Sequence, residues 1–241
     1  MAPRAVLARG MAHAPVQKHG KLTQVFSDVW LVTGSMRAGA GVTFTRNMTV
    51  VRDGGRLVLV NSVRLDSATE AELERLGKVT DVVRLGGFHG LDDPYMKERF
   101  GATMWAPANI RKPYVEYRTL EAGACPIGDA TPFLFTGGRE PDAALILARD
   151  GGILISCDSF QNWTTYDGCS LLARVVMRVM GFGPAVIGKP WAKRMGPGVR
   201  ADFARLREQP FVHALSGHGT PIRDDAKALL DQAIAVRFGA R

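Results

Sequence analysis

His89, Asp92 and Asp93 stand together in residues 83–95, VRLGGFHGLDDPY. An imidazole beside carboxylates can carry protons or hold a cation. A further carboxylate, Asp158, ends the run ILISCD at 153–158, and a further imidazole, His218, lies in LSGHGTP at 215–221. Each by itself has an ordinary explanation. His89 suits an exposed glycine-rich loop, Asp158 a turn cap beside Ser159, and His218 a turn between two glycines. All three, however, follow immediately on an apolar run. A sheet with those carboxyl ends on one edge would gather them in one place, where binding and catalytic groups tend to sit. Histidine and carboxylate from separate strands are also what a borderline divalent metal needs.

The elements that would position these residues are legible as alternation and turn signals. Strands are expected over 25–32, 42–51, 56–61 and 79–85, with Asp53-Gly54-Gly55 as a hairpin turn between the second and third. The near-continuous apolar run 56–61 implies burial on both faces. Ser67-Ala-Thr-Glu70 has capping-box spacing and starts a helix. A short helix over 95–100 and a strand over 101–107 come next, then an irregular stretch over 108–130. Strands at 133–135, 143–148 and 152–158 follow, with a second hairpin turn at Asp150-Gly151-Gly152. In 170–180 the apolar positions 171, 172, 175, 176, 179 and 180 share one helical face, which is expected to pack on the core. The same helix read differently is a basic amphipathic lid, because Arg174 and Arg178 share the other face. A helix at 200–208, a strand at 211–216 and a closing helix at 224–238 complete the chain.

The 241 residues suffice for a large core, and no apolar run is long enough for a membrane span. Residues 1–20 carry no sustained period and are expected to form a loosely ordered leader before a single domain over 21–241. Three cysteines, Cys125, Cys157 and Cys169, lack CxxC spacing and suit reduced thiols in a cytoplasmic protein. The net charge of +8 points to anionic partners or simply to solubility. It concentrates between Arg174 and Arg207, where Asp202 is the sole acid, and a solvated face accounts for it most simply.

The order of elements and several local patterns resemble the metallo-β-lactamase fold superfamily over about residues 22–240. The hairpin over 50–61, the helix from Ser67 and the strand to Leu85 are similar to that family's opening. ILISCD resembles its strand ending in a metal-bridging aspartate, and LSGHGTP its last ligand loop. The resemblance implies an α+β fold, a four-layer αββα sandwich. It also implies a ligand set, from which this chain departs. Aligned on the family's HxHxDH motif, His89 and Asp93 keep the first histidine and the aspartate, while Leu91 and Pro94 replace two histidines. Gly138 stands where a later histidine belongs, and Asn61-Ser62 replaces an Asp-Thr pair.

On that basis the metal ligands are expected among His89, Asp93, Asp158 and His218, with His89 and Asp93 doing the acid–base work. One divalent ion (zinc, iron or manganese) or none is expected, placed on the Asp93–Asp158–His218 side. The implied activity is a metal-dependent hydrolase acting on a small anionic ester, lactone, thioester or phosphoester. The alternative is a metal-free scaffold of the same fold that binds an anionic ligand or partner. Nucleic-acid processing ranks last, because aromatics for base stacking, Trp191 and Phe203 among them, are few within the basic stretch. His213, one strand residue pair away, could reach the same site.

Overall fold

The computed structural model describes residues 13–39, 41–111 and 114–239. The first sheet begins with β1 (Thr23–Phe26), β2 (Val29–Arg37), β3 (Thr43–Asp53) and β4 (Arg56–Val60). After α1 (Ser67–Leu76) come β5 (Lys78–Val83), α2 (Asp93–Phe100), β6 (Thr103–Ala106) and the two-residue β7 (Arg118–Thr119). The second sheet collects β8 (Ala130–Leu134), β9 (Ala143–Leu147) and β10 (Ile153–Ser156). Three helices, α3 (Leu171–Val179), α4 (Lys189–Met195) and α5 (Val199–Leu206), precede β11 (His213–Ser216), and α6 (Ala226–Phe238) closes the chain. The sheets run β1-β2-β3-β4-β5-β6-β7 and β11-β10-β9-β8.

Alternation along the strands builds the layers. In β4, Val58 and Val60 face the second sheet and pack with Leu145, Leu147, Ile153 and Ile155. Leu57 and Leu59 point the other way, against Leu73 of α1 and Met96 of α2. The far side of the second sheet, through Ala144, Ile146 and Leu154, packs on Trp191, Val199, Phe203 and Leu230 of α4, α5 and α6. The result is helix, sheet, sheet, helix: the expected αββα sandwich. Each fully buried Val or Leu contributes about 1.5–3 kcal/mol, so three such seams secure the frame on which the site sits. β4 and β5 run parallel through the crossover α1, and β10 and β11 run parallel through the connection that contains α3, α4 and α5. The carboxyl ends of β5, β10 and β11 lead directly into the segments carrying His89, Asp158 and His218.

Several local expectations shift. The strand expected at 25–32 is a hairpin, turned at Ser27-Asp28 with Asp28 at φ 58° and held by Arg52, whose backbone N–H donates to the Asp28 carbonyl. At Gly54 and Gly55 both φ values are positive, as a type I′ turn requires. Asp66, not Ser67, caps α1, accepting from the Thr69 N–H at 2.8 Å. The turn at 149–151 is 3-10 rather than a two-residue hairpin loop, with Asp150 at φ 53°. α4 hides in the sequence between Gly188 and Gly196 with a proline at its start. Of the expected leader, residues 1–12 lie outside the described residues. Residues 13–20 meet the sheet: the Gly20 N–H donates to Thr33 O, and the Ser35 N–H to Lys18 O.

The largest departure is α3. Ser170 caps it, and only Ala173 and Met177, four residues apart, are buried. Leu171, Leu172, Val175 and Val179 face away from the protein. The expected packing of this apolar face on the core does not occur, because the helix touches the body along one narrow stripe against Trp163 and Cys169.

Candidate metal centre

His218 is the most firmly placed of the candidate residues. β11 delivers it into a turn where Gly219 has φ 78° and a Cβ would stand 2.1 Å from Asn162 O, so the glycine is required there. Asn47 of β3 anchors the turn: its backbone N–H donates to Gly217 O, and its side-chain amide to Ser216 O and Gly219 O. His218 Nδ1 lies 2.7 Å from Thr45 O. A carbonyl only accepts, so Nδ1 carries a proton, and in the neutral imidazole Nε2 is then the atom left to ligate. Trp163 stacks on the same ring.

Asp158 follows β10 by two residues. Gln161 Nε2 donates to its backbone carbonyl at 3.1 Å and to Oδ1 at 3.4 Å, steadying the carboxylate. His89 sits in the turn after β5, where the buried Arg84 guanidinium donates to the carbonyls of Gly86 and Gly87 and sets the loop's course. His89 Nδ1 is buried without a hydrogen-bond partner among the described residues.

The three side chains converge. His89 Nε2 lies 3.3 Å from His218 Nε2 and 3.6 Å from Asp158 Oδ2, while His218 Nε2 lies 3.2 Å from Asp158 Oδ1. Ligands bonded to a tetrahedral ion at about 2.0–2.1 Å stand about 3.3 Å from one another. The two histidines approach different oxygens of Asp158; with one ligand atom taken from each residue, all lie within 4.8 Å of one another, so the donor set can gather around one borderline ion. Electrostatics keep two donors in their ligating forms. Burial drives the His89 imidazole down to about 3, so it is neutral. Burial pushes the Asp158 carboxyl up, but the His89 and His218 imidazoles beside it outweigh this and hold it at about 2.

Asp93 is not part of this group. It opens α2, and both carboxylate oxygens are already engaged: Ser62 Oγ donates to Oδ1 at 2.6 Å and Tyr117 OH to Oδ2 at 2.7 Å. Among the described residues the group that could hold an ion is His89, Asp158 and His218, and Asp93 lies outside it. Asp92 is also committed, to a buried ion pair with Arg46 and to the Arg64 N–H. His213 bonds to Asp150 O and accepts from the Asp224 N–H, and His13 and His19 meet Glu98 and Asp66. At Gly138 a Cβ would stand 2.3 Å from Met195 Cε, which leaves no room for a ligand side chain without movement.

A cavity of about 210 Å³ opens on the three ligands. Its walls include Met36, Phe88, Leu91, Phe182, Pro190 and Trp191, and its remaining ionisable residue is Arg46. The sequence reading missed Arg46, Thr45, Asn47 and Gln161. Nothing in the spacing of β3 marks Arg46 or Asn47 as reaching two separate loops.

No protein-family model matches the sequence, and no curated protein matches it. Solved structures do. DIM-1 metallo-β-lactamase exposed to ceftazidime aligns with a TM-score of 0.60 at 14% identity, covering 93% of this chain and 99% of that one. FIM-1 from Pseudomonas aeruginosa in its mono-zinc form gives 0.61 at 12%, covering 93% and 96%. A metallo-β-lactamase from Erythrobacter litoralis gives 0.58 at 13%, covering 91% and 96%. The similarity runs nearly end to end on both sides, and the two-sheet core with flanking helices is common to all. This chain has the metallo-β-lactamase fold.

Proposed function

We propose that the protein is a metal-dependent hydrolase with a mononuclear site formed by His89, Asp158 and His218. The observation that carries this is the convergence of two imidazoles and a carboxylate, whose ligand atoms, one from each residue, lie within 4.8 Å of one another, with His218 oriented by Thr45 and Asp158 by Gln161. Zinc suits two imidazoles and a carboxylate best, with iron or manganese next. When bound, such an ion lowers the pKa of water and polarises a carbonyl or phosphoryl oxygen. The mono-zinc form of FIM-1 is a precedent for one ion on this fold.

The chain's own residues supply the rest. Asp93, expected to act as an acid or base, is tied to Ser62 and Tyr117, and His89 is a ligand, so no separate general base stands in the cavity. Arg46 at the wall is paired with Asp92, but its Nε has no hydrogen-bond partner among the described residues and is suited to donate to a polar or anionic group of a small ester, lactone, thioester or phosphoester. The apolar walls would exclude water from the bond to be cleaved.

The test is metal reconstitution. Protein freed of metal and reloaded with zinc, iron or manganese should hydrolyse at least one member of a panel of these four bond types, and His218→Ala should not. Retained hydrolysis by the metal-free protein would overturn the reading. Failure to bind any of the three ions would hand the case to a metal-free scaffold for anions.

A further inference from the structure

α3 is an apolar helix with none of the described residues packed against most of it. Leu171 is 80% exposed and Val179 81%, with Leu172 and Val175 between them more than half exposed. Among the described residues, no other element leaves so many large aliphatic side chains in water. Single exposed hydrophobics are ordinary, but a contiguous stripe of them marks an interaction surface.

Charge narrows what that surface meets. From 168 to 201 the sequence contains Arg174, Arg178, Lys189, Lys193, Arg194 and Arg200 and no acid. Arg194 pairs with Glu140 and Arg200 lies beside α6, whereas Arg174 and Arg178 of α3 and Lys189 have no carboxylate partner among the described residues. Lys189 reaches the end of α3, 3.3 Å from where a Cβ on Gly181 would stand. A two-fold dimer across α3 would bring these cations against their own copies, at an electrostatic cost. An anionic surface would welcome them.

The buried side of the same helix leads to the metal centre. Met177 of α3, with Met180 just past its end, Phe44, Trp163 and Phe182, lines a second cavity of about 190 Å³ that ends on Asp158 and His218. An apolar chain entering beside α3 would thus have a dry path to the ligands.

We propose that α3 docks on an anionic lipid bilayer, with Leu171, Leu172, Val175 and Val179 in the acyl boundary and the surrounding cations at the headgroups. A helix this short binds weakly and reversibly, and electrostatic attraction supplies much of the affinity. The docking goes beyond the hydrolase reading and does not depend on it, since no metal ligand takes part.

Cosedimentation with vesicles tests it. The protein should pellet with phosphatidylcholine–phosphatidylglycerol vesicles and not with phosphatidylcholine alone, and high salt should release it. Leu171→Ser, Val175→Ser and Val179→Ser together should weaken partitioning at least about tenfold. Arg178→Gln and Lys189→Gln should each cost about fivefold. Val236→Ser, on the exposed face of α6, should partition as the parent does. Thermal melts of the variants check that they remain folded. No binding to anionic vesicles by the parent, or equal binding by the triple variant, would overturn the proposal. So would a dimer in sedimentation analysis that the triple variant disrupts while vesicle binding stays absent.

Discussion

His89 and Asp93 lie four residues apart in one turn, and the fold treats them oppositely. His89 Nε2 faces a second imidazole and a carboxylate across a cavity. Asp93 has both oxygens filled by hydroxyls, and neighbouring Asp92 is consumed by Arg46 and a backbone N–H. The difference lies in neighbours rather than in residue type. A buried acid surrounded by donors is structural, because its lone pairs are already used. A buried acid facing lone pairs is incomplete without a cation or a proton.

The largest effect expected from breaking this contrast is on the structural side. Asp92→Ala leaves the Arg46 guanidinium buried without its counter-charge and should destabilise the fold by about 3–5 kcal/mol, read by denaturant unfolding. On the site side, Asp158→Ala and His218→Ala should each weaken metal binding at least about 100-fold. Changes to mere supporting residues of metal sites already cost about 10–100-fold. Binding isotherms check this, with melts of the metal-free variants confirming that they fold. Tyr117→Phe removes one hydroxyl from Asp93 and should cost about 1–3 kcal/mol of stability with metal affinity unchanged.

The smallest effect is the pH dependence at Asp93. Burial pushes this carboxyl up from 3.8, against the Ser62 and Tyr117 hydrogen bonds that pull it down. A raised folded value means that its contribution to stability is fully present below the unfolded value and is lost as pH rises through the folded one. Asp93→Asn, which cannot ionise, should therefore show its greatest deficit against the parent at low pH and a shrinking one as pH rises. A deficit that grew with pH would place the folded value below the ordinary one.

The frame was legible because its signals are local. Alternation in β3 and β4, the Gly54-Gly55 turn and the strand-end positions of His89, Asp158 and His218 all follow from short-range pattern. The surroundings of the candidate residues were only partly legible. Spacing alone cannot tell that Ser62 and Tyr117, 31 and 24 positions away, fill Asp93. The same holds for Thr45, which fixes the His218 tautomer from 173 positions away. In α3, helical periodicity correctly marks an apolar face, but periodicity does not say whether the protein itself covers that face.

The central claim is that three residues, and not a family-like set of six or seven, make the centre. Calorimetric titration of chelator-treated protein with zinc, repeated on His89→Ala, tests it most directly. The account predicts one equivalent bound by the parent and a loss of at least about 100-fold in affinity for the variant. Two tightly bound equivalents, or unchanged affinity without the His89 imidazole, would contradict it.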